Sequence, residues 1–307
     1  MSDISNTQAV IDSVNTVIKG KDNVVRKVLA AFIAGGHILM EDIPGVGKTT
    51  LATAFARTLS MEYKRVQFTP DVLPSDILGF SMYNSATKEF EYRPGSVFCN
   101  LFLADEINRT SPKTQSALLE VMEEGTATVD GVTRRLPDPF VVIATENPYG
   151  SSGTQMLPES QLDRFMVCLS MGYPEHGDAV EILKGNANRP LEQIRPVMDT
   201  EALKALREQC RTMYVKDNIY EYIVNIVERT RTHEYFSMGA SPRGTIALLN
   251  MSKAVAVIDG RDYVTDEDVQ SVVTDTLGHR VKLGQRARAQ GVSTAAALRT
   301  VLEELRR

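Results

Sequence analysis

The sequence predicts an α/β protein, with a phosphate-loop core built on a buried sheet and a following region of helices only. Three observations predict it. Ile38-Leu39-Met40 reads as a buried strand, and it runs into Asp42-Ile43-Pro44-Gly45-Val46-Gly47-Lys48-Thr49-Thr50 and then into helically spaced apolar residues at 51–56. Two further apolar runs, Leu101-Phe102-Leu103-Ala104 and Phe140-Val141-Val142-Ile143-Ala144-Thr145, end in Asp105-Glu106 and Glu146-Asn147-Pro148. Beyond Tyr173-Pro174 every apolar pattern has a helical period.

The first of these stretches carries the chemistry. Gly45 and Gly47 let successive backbone N–H groups turn inward around an anion, and the helix that follows offers its unpaired N–H groups to the same anion. Lys48 would reach the β- and γ-phosphates, and the Thr49 hydroxyl would ligate Mg²⁺. The general pattern wants glycine at position 42, where this chain has Asp42. A plain glycine turn between strand and helix is the simpler account.

Taken in order, Val24, Val25, Val28, Leu29, Phe32 and Ile33 fall at helical spacing, and Gly35-Gly36 ends that helix. Residues 17–22 before it form a short polar turn. Val66-Gln67-Phe68 reads as a second strand. Residues 71–98 interrupt the core as an inserted short helix and hairpin, or as a decorated loop. At the next strand end, Asp105 would hold the Mg²⁺ shell and Glu106 would orient or deprotonate the attacking water. A surface pair capping a strand is the alternative.

Ser111-Pro112 starts a helix whose apolar face is Ala117, Leu118, Val121 and Met122, and Gly125 closes it. Residues 126–129 and 132–136 flank Asp130-Gly131, a strong hairpin signal, either solvent-exposed or touching a substrate. Asn147 stands at a strand's carboxyl end, where it could position water against the γ-phosphate, or merely turn the chain before Pro148. Residue type alone makes Arg164 a surface arginine. Arg243 falls in the first turn of a helix begun by Ser241-Pro242, where a cation opposes the dipole, so anion contact is a candidate use. The basic stretch Arg280, Lys282, Arg286 and Arg288 reads as a solvated face.

The bulk numbers bound the function. The 307 residues are 43% hydrophobic and 24% charged, enough to bury a core, and suggest about two domains. A net charge of −5 argues against a general nucleic-acid binder. Cys99, Cys168 and Cys210 have no zinc spacing and form no disulfide framework, which fits a reducing cytoplasm. Nothing approaches a membrane span or a signal peptide.

The motifs go further together. Ile43-Pro44-Gly45-Val46-Gly47-Lys48-Thr49, Leu103-Ala104-Asp105-Glu106-Ile107-Asn108-Arg109, residues 113–120, Ala144-Thr145-Glu146-Asn147-Pro148, residues 157–165 and Gly239-Ala240-Ser241-Pro242-Arg243 resemble, in order, the MoxR family of AAA+ ATPases. Asp42 is usual in that family. The resemblance implies an αβα P-loop core with a parallel sheet over residues 1–175 and a small all-α lid over 176–307. It implies ATP and Mg²⁺, and a homo-oligomeric ring, commonly a hexamer, with nucleotide between core and lid at the subunit interface. Lys48 and Thr49 match the Walker A pair, and Asp105 and Glu106 the Walker B pair. Asn147 matches sensor 1, Arg243 the lid arginine that reads the phosphates, and Arg164 the arginine finger donated to a neighbour. Pro44, Gly45, Val46, Gly47 and Thr50 complete the loop, and the turn near Ile18 and Gly20 matches the adenine pocket. Residues 71–98 match the helix-2 insert, and residues 126–136 the pre-sensor-1 hairpin. Family members are chaperone-like factors for protein complexes, often with a von Willebrand factor A domain partner. Three other readings stay open: a nucleic-acid motor, a magnesium-chelatase-type motor subunit, and a slow nucleotide-gated scaffold.

Overall fold

The computed structural model describes residues 2–43, 45–147, 156–184 and 191–305. Its strands in chain order are β1 (Ile38–Glu41), β2 (Tyr63–Gln67), β3 (Gly79–Asn84), β4 (Glu89–Pro94), β5 (Leu101–Asp105), β6 (Thr126–Val129), β7 (Val132–Arg135), β8 (Val141–Glu146) and β9 (Val167–Leu169). The first helices are α1 (Ser2–Asn15), α2 (Asp22–Ile33), α3 (Lys48–Thr58), α4 (Pro74–Leu78) and α5 (Pro112–Glu124). After α6 (Glu159–Leu162) come α7 (His176–Leu183), α8 (Thr200–Thr212), α9 (Asp217–Thr232), α10 (Pro242–Ile258), α11 (Asp266–Leu277), α12 (Gln285–Ala289) and α13 (Thr294–Leu305).

One parallel sheet runs β2-β5-β8-β1-β9. Its strands read as unbroken apolar runs because both faces are covered. The two-residue period divides them: Ile38, Met40, Leu101, Leu103, Val141 and Ile143 point into one apolar cluster with α2 and α3. Leu39, Phe102, Ala104, Val142 and Ala144 point into the other with Leu118, Leu119 and Met122 of α5. All five strands run the same way, so their carboxyl ends share one edge, with Gln67 beside Asp105 and Glu41 beside Glu146.

The 71–98 segment is a helix and hairpin, α4 with β3 paired antiparallel to β4, carrying exposed Phe80, Met82 and Phe90. The second hairpin, β6/β7, meets it where the Arg134 guanidinium lies 3.6 Å from the Tyr92 ring centre. The first apolar cluster continues past residue 175, joining α2 to Leu206 of α8 and Met251 of α10.

Two expectations need correction, and one element is additional to those read from the sequence. A helix, α1, precedes the polar turn, burying Val10, Ile11 and Val14. The carboxyl-terminal region is not helices only: β10 (Phe236–Met238) pairs antiparallel with β11 (Lys282–Leu283), both too short to show a period. Arg280 is not on a solvated face. It is 5% exposed, and its guanidinium is satisfied by the Asp163 carboxylate at 2.8 Å and by the carbonyls of Asp163, Phe165, Met166 and Thr276.

Candidate functional site

At the carboxyl edge of the sheet, a cavity of ≈410 Å³ is lined by Gly45, Gly47, Lys48, Thr49, Thr50, Arg65, Gln67, Asp105, Glu106 and Asn147. Gly45 and Gly47 have φ of 86° and 97°, a region open to glycine and strained for other residues. Gly47 caps α3 without a side-chain bond, and the first turn of α3 holds no acid. Its leading N–H groups and positive dipole end are left for an anion. Pro44 lies outside the described residues, and Val46 packs against the core.

Asp42, the departure from the glycine pattern, is turned away from this cradle. Its carboxylate accepts from Ser170 Oγ at 2.7 Å, from the Met171 N–H at 2.6 Å and from the Gly172 N–H at 3.0 Å. An acid that would repel phosphate instead ties the loop to the chain leaving β9. Its carbonyl accepts from Lys48 Nζ at 2.8 Å. Burial lowers the Lys48 pKa, against the opposing pull of Asp42, Asp105 and Glu106.

The carboxylates are held from both neighbouring strands. Asp105 accepts from Thr145 Oγ1 on β8 at 2.6 Å and from Arg65 Nη2 on β2 at 2.7 Å. Glu106, at φ 57°, accepts from Gln67 Nε2 at 2.9 Å and Arg109 Nη1 at 2.7 Å, and its N–H donates to Thr145 Oγ1 at 2.8 Å. Thr49 and Asp105 offer a hydroxyl and a carboxylate to one space. That donor set suits Mg²⁺, which takes few protein oxygens and completes its shell with water and phosphate. Asn147 lines the cavity, and its carbonyl accepts from Asn108 Nδ2 at 3.4 Å.

The two arginines stand elsewhere. Arg164 Nε lies 3.0 Å from Glu123 Oε2, and Arg243 Nη2 pairs with the other oxygen, Oε1, of the same carboxylate. The three residues line a separate hollow with Met122. Ser241, which caps α10, donates its hydroxyl to Asp163 at 2.9 Å, joining the Arg164 loop to the helix of Arg243. Arg243 therefore does find an anion, a carboxylate of its own chain. Ile18 is buried in the core cluster, and the exposed Gly20 approaches α7 so closely that a Cβ would sit 1.8 Å from Asp178 Oδ2. Neither lines the phosphate-loop cavity.

The structure thus brings together Lys48, Thr49, Asp105, Glu106 and Asn147, and sets Arg164 and Arg243 apart as a pair. Arg65, Gln67, Arg109 and Thr145 join the site without having been singled out by residue pattern. Arg65 and Gln67 alternate with apolar residues in Lys64-Arg65-Val66-Gln67-Phe68, and that run of polar groups entering a strand's carboxyl end was the available signal.

A phosphate loop at the head of a parallel sheet, facing paired carboxylates on an adjacent strand end, defines a P-loop nucleotide-binding protein. Comparison with known proteins narrows the class. The model of the ATPase family associated with various cellular activities (AAA) matches residues 37–167, and that of the AAA lid domain matches residues 228–301. The chain is 47% identical to the uncharacterized protein YeaC of Bacillus subtilis, over 96% of this chain and 93% of that one. It is 36% identical to Chaperone MoxR1 of Mycobacterium tuberculosis, over 98% of this chain and 82% of that one. A crystal structure from Cytophaga hutchinsonii, provisionally called an ATPase, superposes with a TM-score of 0.90 at 36% identity, covering 98% of this chain and 94% of its own. The chain belongs to the MoxR family of AAA+ ATPases.

Proposed function

We propose that the chain is an Mg²⁺-dependent, ATP-hydrolysing subunit of a homo-oligomeric ring that works as a chaperone-like factor on protein complexes. One observation carries the ring reading: the loop, carboxylates and Asn147 share one cavity, while Arg164 and Arg243 cluster outside it on Glu123. A subunit built this way has an incomplete site and presents its two arginines to a neighbour.

In this reading Lys48 and the loop N–H groups hold the phosphates, and Thr49 and Asp105 hold Mg²⁺, which supplies charge neutralisation at the phosphates when bound. Glu106 takes the proton of the attacking water, and Asn147 orients that water. The nucleotide sits between the sheet-bearing core, 1–175, and the helical lid, 176–307, at the interface with the neighbouring subunit. Ile18 and Gly20 border the base, on family resemblance alone. A hexamer, a protein client and a von Willebrand factor A domain partner follow from the same resemblance. Three free cysteines suit a reducing cytoplasm. Among the described residues no helix is long and apolar enough to cross a membrane. The net charge of −5 disfavours a nucleic-acid motor.

The test is subunit complementation. Glu106→Gln and Arg164→Ala should each abolish most ATP turnover while binding ATP, with the arginine worth roughly 10³–10⁵ in rate. Mixed together, they should regain activity, because an Arg164→Ala subunit keeps its own base and borrows its neighbour's intact arginine. A mixture as inactive as its components would show that catalysis is not shared.

A further inference from the structure

We propose that Arg65 is the cation with which each subunit holds the terminal phosphate of its own nucleotide. The inference rests on the reading of the phosphate-loop cavity as a nucleotide site.

Three observations lead there. Arg65 and Lys48 are the cations among the described residues that line the cavity. Arg243, which resemblance would place on the phosphates, is drawn to Glu123 beside Arg164 instead. The Arg65 side chain is 44% exposed, reaching Asp105 Oδ2 at 2.7 Å and Gln67 Oε1 at 3.1 Å through Nη2 alone among the described hydrogen bonds. Its planar guanidinium keeps further donors, in a fork that suits two phosphate oxygens at once.

Charge balance points the same way. The cavity is lined by two carboxylates, Asp105 and Glu106, and two cations. A triphosphate, even with a divalent cation, adds net negative charge. Lys48 would be the sole compensating side chain if Arg65 stayed on Asp105. The phosphates would compete with Asp105 for the guanidinium, whose remaining donors lie within the same cavity and need no metal to reach them. Strand position makes this possible: Gln67 pairs with Asp105 in the β2–β5 register, so Arg65, two residues back, lies on the same face of β2.

The experiment compares ATP and ADP affinities of the full-length chain for wild type, Arg65→Ala, Arg65→Lys and Lys48→Ala, with Mg²⁺ and with chelator. Arg65→Ala should weaken ATP by roughly tenfold or more and ADP by less than about threefold, with Arg65→Lys between wild type and Arg65→Ala. The loss of ATP preference should persist in chelator, since the contact is to phosphate. An unchanged ATP-to-ADP ratio overturns the assignment. So does a loss that disappears in chelator, which would show Arg65 acting only through Asp105 and the metal. Wild type that binds neither nucleotide, or Lys48→Ala that binds ATP like wild type, overturns the nucleotide reading of the cavity itself.

Discussion

At the scale of the residue, burial without a partner is the most testable feature near the site. Glu146 is 1% exposed, and neither of its carboxylate oxygens has a hydrogen-bond partner. Burial, and then the charge of Glu41 beside it in the β1–β8 register, push its pKa up to about 7 from 4.5. The folded state therefore holds a proton that the unfolded state releases between those values. Stability from this group is fully present below about pH 4.5 and is lost as pH rises through about 7. Glu146→Gln removes the loss. Urea unfolding should show the variant gaining on wild type by up to roughly 3 kcal/mol between pH 4 and pH 8. An equal difference at both pH values would show that Glu146 titrates normally. Asp42 is the opposite case, an acid satisfied by three donors, which is why the loop tolerates it.

At the scale of the element, the helix-and-hairpin insert depends on a close backbone approach. A Cβ on Gly95 would sit 2.2 Å from the Ile77 carbonyl oxygen and 2.4 Å from the Gly79 nitrogen, and backbone cannot step aside as a flexible side chain can. Gly79, at φ 98°, needs glycine for its conformation as well. Gly95→Ala should cost roughly 1–3 kcal/mol, as other overpacking changes do. The damage should be local: faster amide exchange across residues 74–98, with protection in β5 and β8 retained. Uniform acceleration over the sheet would mean the insert is integral to the core. The helix and hairpin were readable from sequence because Pro74-Ser75-Asp76 and the alternation around Phe90 are local signals. So was α5, where Ser111 Oγ accepts from the Thr114 N–H at 3.3 Å and Gly125 takes φ 63°.

At the scale of the whole molecule, the lid and the sheet are joined through Arg280. Its side chain is 2% exposed and spans from Asp163 to the end of α11. Asp163 also receives the Ser241 hydroxyl, and Glu123 receives both arginines. Arg164 and Arg243 are thus braced by the same few contacts and would move together. Arg280→Ala takes the guanidinium away from Asp163, which keeps only the Ser241 hydroxyl among the described residues, and from four carbonyls, and should destabilise by about 3 kcal/mol or more in urea. Arg280→Lys should not rescue it, because an ammonium cannot serve this fork of acceptors. A near-neutral Arg280→Ala would show that water replaces the guanidinium, and that the two arginines are not coupled through it.

Much of the fold was legible in the sequence, because strand, loop and helix are set by periods of two and 3.6 residues and by glycine stereochemistry, all local properties. The spacing of Val10, Ile11 and Val14 is itself helical, so even α1 was within reach of the same reasoning. The phosphate loop and the Asp105-Glu106 strand end were legible for the same reason: each is a short motif whose chemistry follows from its own residues. What the sequence by itself determined was therefore the class of site. Only the tertiary structure decided what surrounds it. Sheet order brings β2 beside β5, placing Arg65 and Gln67 on carboxylates about forty positions away. The return of the chain after β9 gives Asp42 its donors, and the packing of α10 on α2 and α8 carries Arg243 to Glu123 rather than to the phosphate loop. Those contacts join residues far apart in the chain, through burial and charge that no local pattern encodes.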